Sequence, residues 1–323
     1  MTEAHSSAVD RELMKRLTIV ILFIFFFTAA FSRLDRVYSQ KFYNITGEAR
    51  WIWAPHRLTQ NEPLAFFATR DFELPEGRVF TKLNVLGDPV YTLWFNGYEI
   101  AGRRVDDAHK LDVYDVSKLA KTGKNRIVIA IRAMQGVGGV LAGVDIGPEA
   151  ENILVTDASW KIYRRWRPDI LLRDAPDLSP VPPMLIGEPP IGRWNYVTRQ
   201  PREFSEPFQR TLLPREVFPV NAFLPTIRTS GGVAISVADP VRARAFDFGF
   251  TKGRVRVTIE GDSIVSRAVT VRYAYAREEL TRVEWSTRSF VFAPGERTVI
   301  DPEPGNFRYV LVYGEKATVD VLQ

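Results

Sequence analysis

A period of two constrains this chain more than any other feature. "RIVIAIRA" (Arg126 to Ala133), "GRVRVTIEG" (Gly253 to Gly261), "AVTVRYAYA" (Ala268 to Ala276) and "FRYVLVYG" (Phe307 to Gly314) all alternate apolar and polar residues, which is the period of a β-strand with one face turned to a core. Outside a single apolar run near the N-terminus, no stretch of a dozen residues carries the 3.6 period of an amphipathic helix. The short alternating runs are separated by Gly, Pro and Asp turns, a pattern that belongs to β-sandwiches rather than to βαβ units. An all-β chain of two sandwiches preceded by one N-terminal transmembrane helix is therefore expected.

The sharpest local signal is "VYTLWFNGYEI" (Val90 to Ile100). Asn-Gly supplies two residues that tolerate positive φ, so Asn96 and Gly97 predict a two-residue hairpin turn. Phe95 then faces Tyr98, Trp94 faces Glu99 and Leu93 faces Ile100. Tyr91, Leu93, Phe95, Tyr98 and Ile100 form the expected core face, while Thr92, Trp94 and Glu99 point away from it. Three uses of Trp94 stay open at this stage: cover by another segment of its own chain, docking on a protein partner, or stacking on a sugar ring.

Residues 176 to 225 hold 11 of the 21 prolines. Proline fixes φ and lacks an N–H, so this stretch is expected to run extended over a surface and to connect the two domains. Its aromatics, among them Trp194, Tyr196, Phe204, Phe208, Phe218 and Phe223, predict that it is packed down. The expected divisions are a first sandwich at 45–198, a Pro-rich connector at 199–225 and a second sandwich at 226–323.

"LTIVILFIFFFTAAFS" (Leu17 to Ser32) is the only long apolar run without a charge. It is expected to form the core of a membrane anchor at 17–34, with Leu17, Phe23, Phe25, Phe26, Phe27 and Phe31 as its lipid-facing bulk. Lys15, Arg16 and Arg33 can snorkel at its ends. Residues 1–16 would be a short cytoplasmic tail and 35–44 a connector. A cleaved signal peptide is the rival, since "TAA" before Phe31 offers small residues. Basic residues flank both ends, so the positive-inside rule barely discriminates. The expectation adopted is a retained signal-anchor in a bacterial inner membrane, with the bulk of the chain in the periplasm. No ionisable residue lies within the run, so nothing in it supports a proton or ion path through this helix.

The net charge is +5 over 323 residues, and the first 41 residues carry two of those charges. That leaves no basic footprint for nucleic acid. With no cysteine at all, disulfides, thiolate metal sites, Fe–S clusters and cysteine nucleophiles are excluded.

A resemblance emerges from the order of several motifs. "WIWAP" (Trp51 to Pro55), "FFATRDFELPEG", "YTLWFNGYEIAGRR", "LDVYDVSKLAKTGKNRIVIAI", "GVGGVLAG", "ILVTDASWK" and "IGEPPIGRW" together resemble the N-terminal β-sandwich modules of bacterial α-L-rhamnosidases. "FDFGFTKGRVRVTIEG" followed by "VTVRYAYAREEL" is similar to the second sandwich of those enzymes. The resemblance implies a galactose-binding-like jelly roll followed by another sandwich, and a habit of binding glycans at strand-end loops. It also implies that the catalytic carboxylates belong to an (α/α) toroid that would follow Gln323, so no enzymatic activity is expected of this chain.

The residues offer little chemistry of their own. A glycosidase needs two carboxylates about 5 to 9.5 Å apart, and the adjacent pairs Asp106–Asp107 and Glu278–Glu279 point to opposite faces if extended. His5, His56 and His109 lie in separate segments, without metal-ligand spacing. "GVGGVLAG" (Gly136 to Gly143) lacks the Lys-Ser/Thr of a phosphate loop, and its glycines fit a tight bend with close backbone approach. "NIT" at Asn44 is a glycosylation sequon by pattern only. "WKIYRRWRPD" (Trp160 to Asp169) interleaves four basic residues with three aromatics, as a stacking surface or a charge-defended edge strand would.

Trp94, Glu99, Trp160, Arg164, Arg165 and Trp166 are thus the candidate docking or glycan-stacking surface. No cofactor and no metal are expected. The leading expectation is a non-catalytic, membrane-anchored structural subunit of a larger membrane assembly, with photosynthetic or respiratory complexes as suitable hosts. The alternative is a membrane-tethered carbohydrate-binding protein of the cell envelope. Partners are accordingly a membrane and other proteins or a glycan.

Overall fold

The computed structural model describes residues 3–56, 61–76, 80–106, 109–194, 198–230, 233–283, 287–314 and 316–323, with side chains described except at 3–13, 35–45 and 227–236. It divides into two units, Met1–Glu48 and Ala49–Gln323.

The first unit is one continuous helix, α1 (Glu3–Thr46, 44 residues). Within it Met14–Leu34 has a mean hydropathy of 2.2. These 21 residues span about 31 Å at about 1.5 Å per residue, enough for a hydrocarbon core of about 30 Å. Leu17, Phe23, Phe25, Phe26, Phe27 and Phe31 are all more than half exposed. The Thr18 and Thr28 hydroxyls donate to the carbonyls of Met14 and Ile24, one turn back, so these polar atoms need no outside partner. The expected connector at 35–44 is helical. Nothing between Phe31 and Thr46 breaks a helix, and α1 ends where Gly47 adopts φ 57°, as a glycine just past a helix end commonly does.

The second unit is β-structure. Its first sandwich comprises β1 (Trp51–Trp53), β2 (Leu64–Leu74), β3 (Thr81–Asp88), β4 (Val90–Phe95), β5 (Tyr98–Arg104), β6 (Lys110–Asp115), β7 (Gly123–Ala133), β8 (Gly139–Ile146), β9 (Glu151–Val155), β10 (Lys161–Tyr163), β11 (Met184–Gly187) and β12 (Thr198–Arg202). One sheet runs β11-β1-β8-β3-β6-β12 with β9 beside β8, and the other runs β10-β2-β7-β4-β5. Ile52, Phe66, Leu83, Val85, Leu93, Phe95, Ile129 and Ile131 meet between them.

The second sandwich comprises β13 (Thr211–Leu212), β14 (Glu216–Ser230), β15 (Val233–Ile259), β16 (Arg267–Ala274), β17 (Arg288–Phe292), β18 (Thr298–Ile300), β19 (Gly305–Tyr313) and β20 (Ala317–Leu322). β15 serves both layers. It pairs with β19 up to Gly253 and with β20 from Arg254 on, with a bulge between Asp247 and Thr251. Gly249, at φ 70°, provides the bend.

The hairpin turn forms as the sequence predicts, with Asn96 at φ 51° and Gly97 at φ 86°, and Trp94 faces Glu99 while Phe95 faces Tyr98. Two details differ. A bulge makes Leu93 face Ala101 instead of Ile100, although Ile100 stays fully buried. Tyr98, beside the turn, is 60% exposed rather than core.

The Pro-rich stretch is also more structured than a connector. β12 adds to the first sandwich, β13 and β14 to the second, and only 203–210 bridges them. Its prolines are tolerated because Pro201, Pro219 and Pro225 sit in strands bonded on one side only.

Candidate functional site

The two sandwiches meet along a seam built on the outer face of β2 and β7. Ala65, Phe67, Val128 and Ala130 pack there against Tyr163, Ile170 and Ala175 of the first sandwich and Val291 and Ala293 of the second. A buried ion pair crosses it: Arg132 donates from both terminal nitrogens to Glu296 at 2.7 Å each, with side chains 9% and 7% exposed. Arg132 also donates to the Val291 carbonyl, and Glu296 accepts the Ala293 N–H. This is the satisfaction that a buried pair requires. Arg254 pairs with Glu99 at 3.0 Å. At Gly102 an added Cβ would sit 3.0 Å from the Pro302 Cα, so the two backbones approach as closely there as glycine allows.

Beside the seam opens a cleft of about 940 Å³, at the upper end of the roughly 300–1,000 Å³ usual for ligand pockets. The first sandwich supplies His56 and Glu62 from the segments flanking β1 and β2, and Arg164 and Arg165 from the end of β10. The second supplies Ile264 and Val265, 93% and 62% exposed, with Ser266 and Pro294. Arg164 donates to the Pro55 carbonyl at 3.1 Å. Across the seam, Ser266 Oγ accepts the Ala65 N–H at 3.1 Å, and the Pro294 carbonyl accepts the Trp166 N–H at 2.8 Å.

Of the six sequence-predicted surface residues, only Arg164 and Arg165 line this cleft. Trp160 is 1% exposed and donates to the Val155 carbonyl. It belongs to the core, because Trp160 and Ile162 project inward while Tyr163 projects to the seam. Trp166 is half-buried and lies 4.9 Å from Phe67, ring to ring. Trp94 is half-buried against the same seam cluster, so its own chain covers part of the indole. Glu99 is held by Arg254. The interleaving of aromatics and bases in "WKIYRRWRPD" therefore records a strand wedged between core and seam. Among the described residues no tryptophan belongs to the exposed large apolar side chains.

Among the described residues Glu62 is the only carboxylate lining the cleft. Glu279 lies elsewhere, in a 3-10 turn, and accepts the Tyr275 N–H, while Asp107 and Tyr196 fall outside the described residues. His5 and Asn44 lie on α1, with side chains outside the described ones. Among the described residues no group of His, Asp and Glu could hold a metal. Gly138 and Gly139 sit where a Cβ would collide with the Asp88 carbonyl and with the rings of Trp51 and Trp194, the close approach that the glycine run predicts.

A set of buried aspartates escaped the sequence reading. Asp88, Asp112 and Asp145 are 2–3% exposed, and each takes an arginine from the chain after β11. Arg193 pairs with Asp88, Arg202 with Asp112 and Arg199 with Asp145. Trp194 joins them, stacked 4.4 Å from Trp51 and donating to Asp88. Asp112 also accepts the Tyr91 hydroxyl at 2.6 Å, which in turn meets the Tyr114 hydroxyl at 2.9 Å. Burial, with the Tyr114 and Asp112 charges, raises the Tyr91 phenol well above its usual value. Tyr114 is pushed up to about 12, by burial first and then by Asp112. The only sequence signal was the spacing of three arginines in a Pro-rich stretch, which alone says nothing of their partners.

No family model matches the sequence, and no curated protein matches it. Among solved structures, an α-L-rhamnosidase from Dictyoglumus thermophilum matches 85% of this chain and 35% of its own, at 16% identity and a TM-score of 0.50. The rhamnosidase of Aspergillus terreus matches 85% and 36%, at 13% identity and a TM-score of 0.47. A lectin from Pleurotus ostreatus in complex with GalNAc matches 86% and 79%, at 14% identity and a TM-score of 0.40. The chain spans about a third of the length of these two rhamnosidases. The resemblance read from the motifs is thus present in the fold, and at these identities it is a likeness of fold alone.

Proposed function

We propose that this chain is a non-catalytic, membrane-anchored interaction subunit that presents a rigid pair of β-sandwiches outside the cytoplasm to partners in a larger membrane assembly. The observation that carries the proposal is the seam. A buried, doubly hydrogen-bonded Arg132–Glu296 pair and an apolar cluster make one body of two sandwiches, which suits positioning partners better than closing on a substrate. The exposed apolar faces of Met14–Leu34 supply the tether. Cleavage as a signal peptide is decided by the intact mass of the membrane-extracted protein, which keeps its first 32 residues if the tether is retained. Solubilisation of the native membrane in mild detergent tests the rest. Stable co-migration with one membrane complex is expected, and migration as a lone monomer contradicts the proposal.

The seam cleft favours a second reading, a tethered carbohydrate-binding protein. Its volume and its mixture of Arg164, Arg165, Glu62 and His56 with Pro63, Ile264 and Val265 suit hydroxyl groups and apolar sugar faces. Fold likeness to a rhamnosidase is consistent with it. Retention on a glycan column that Arg165→Ala abolishes, without any protein partner, would favour this reading over the first. Under either, no hydrolysis of an aryl rhamnoside is expected, since Glu62, the one carboxylate lining the cleft among the described residues, cannot act as both acid and base partner.

A further inference from the structure

We infer that the loop joining β15 to β16, residues 260–266, is a membrane-contact element. Ile264 and Val265 enter the acyl boundary of an anionic bilayer, while Arg164 and Arg165 at the mouth of the seam cleft take the phosphodiester of a lipid. This contact rests on α1 being a retained tether, and it needs neither a sugar nor a protein partner.

The loop presents its apolar side chains outward. Ile264 is 93% exposed and Val265 62%, so Ile264 touches almost nothing of its own chain. Ser263 fixes this shape, its Oγ donating to the Val265 carbonyl at 2.7 Å and accepting the Val265 N–H at 3.2 Å. Val137 adds another exposed aliphatic. It follows Gly136, where an added Cβ would lie 2.7 Å from Nε2 of His56, a residue of the cleft lining. A single exposed aliphatic is ordinary on a soluble surface, but neighbouring ones at the rim of one cleft mark a contact surface.

The charges beside the loop select an anionic surface. Asp262 accepts a hydrogen bond from Arg297 Nε at 2.9 Å. That bond holds the Asp262 carboxyl below its usual value, and the charges of Arg165 and Arg267 act in the same direction. Three arginines thus surround one carboxylate, and it is already taken. Among the described residues Arg164 donates to the Pro55 carbonyl, Arg165 makes no hydrogen bond, and neither pairs with a carboxylate, Glu62 of the lining included. Guanidinium forks bind phosphate in bidentate fashion. A headgroup layer over acyl chains accepts both halves of this surface, the arginines and the protruding aliphatics. Only residues 47–50 separate the end of α1 from β1, so the tether keeps the bilayer at high effective concentration and a few side chains suffice for contact.

The chain has no cysteine, so Ile264→Cys accepts a single fluorescent label. The full-length labelled chain is placed in lipid nanodiscs whose acyl chains are brominated. Quenching of the label is expected in discs containing phosphatidylglycerol, and less of it in discs of phosphatidylcholine alone or at high salt. Phe250→Cys, at a position 77% exposed and about 30 Å back along β15 at about 3.3 Å per residue, is expected to stay unquenched, which controls for the label's own affinity for lipid. Arg165→Ala is expected to lower quenching at position 264 to the phosphatidylcholine level. In the unlabelled chain, hydrogen exchange of residues 262–266 is expected to be slower in anionic than in neutral discs. Absence of quenching at position 264, equal quenching at position 250, indifference to lipid charge or to Arg165→Ala, or equal exchange in both discs would each overturn the inference. Loss of co-migration with a membrane complex on Ile264→Asp, with the label at 264 unquenched, would assign the loop to a protein partner instead. The tether itself is decided separately, by intact mass.

Discussion

The two outer faces of the first sandwich are closed by different chemistry. The β2–β7 face is closed by the second sandwich and by residues 163–178, mainly through apolar packing around the buried Arg132–Glu296 pair, with Arg126 paired beside it to the more exposed Asp71 and Asp174. The β8–β3–β6 face is pinned by Arg193, Arg199 and Arg202 on three buried aspartates, with one indole stack. In the Arg132–Glu296 pair both charges are buried, so neither has water to fall back on. On the second the arginines remain 24–58% exposed, and only the carboxylates are desolvated. The same pair of residue types therefore locks one face and fastens the other more softly, because each buried aspartate of the second face keeps other hydrogen-bond donors when its arginine is lost.

Breaking the locked face has the largest expected effect. Glu296→Ala leaves Arg132 charged and buried, and is expected to lower stability by about 3–5 kcal/mol in denaturant unfolding. An equal change from Glu303→Ala, whose carboxylate accepts the Arg104 N–H at 3.3 Å, would remove the special status of the buried pair. Trp94→Ala probes the apolar part of that face. The indole is half-buried, so about 2 kcal/mol is expected, below the 3–5 kcal/mol of a fully buried ring. A variant with normal melting but lost co-migration in native membranes would make Trp94 a docking residue instead.

On the softer face, Arg199→Ala should cost about 1–2 kcal/mol. Asp145 is left buried but still accepts hydrogen bonds from Asn84 and Asn152, at 2.8 and 2.9 Å. A loss as large as that of Glu296→Ala would erase the distinction between the faces.

The smallest effect is one of pH. Burial works to raise the Asp174 carboxyl, but hydrogen bonds from Lys161 and Arg126 outweigh it and hold the group down at about 2. A carboxyl lowered on folding stabilises the fold above its unfolded value of about 3.9, and that contribution disappears as pH falls towards about 2. Unfolding midpoints of the parent and of Asp174→Asn should converge over that window, and parallel pH profiles would refute the linkage.

The sequence shows why one face is easier to foresee than the other. Alternation in β7, β15, β16 and β19 and the Asn96–Gly97 turn are local, so the sandwich class and the hairpin could be read directly. Helix continuation to Thr46 was hidden because the apolar run, not the helix, ends near Ser32. The bulge at Ile100, the burial of Trp160 and the packing of Trp166 depend on neighbours distant in sequence. Asp88, Asp112 and Asp145 were invisible for the same reason. In a strand, a polar position reads as solvent-facing, and only the returning arginines reveal it as buried and paired. Arg164 and Arg165 could be picked out because basic residues interleave with aromatics in "WKIYRRWRPD", but the cleft they line needs the second sandwich, which no local pattern positions.

The central claim is that the two sandwiches form one locked body, and scanning calorimetry of the full chain in detergent tests it most directly. The account predicts a single unfolding transition for residues 49–323, with calorimetric and van't Hoff enthalpies in agreement, and its division into two on Glu296→Ala. Two resolved transitions in the unmodified protein would show that each sandwich unfolds by itself and would contradict the lock.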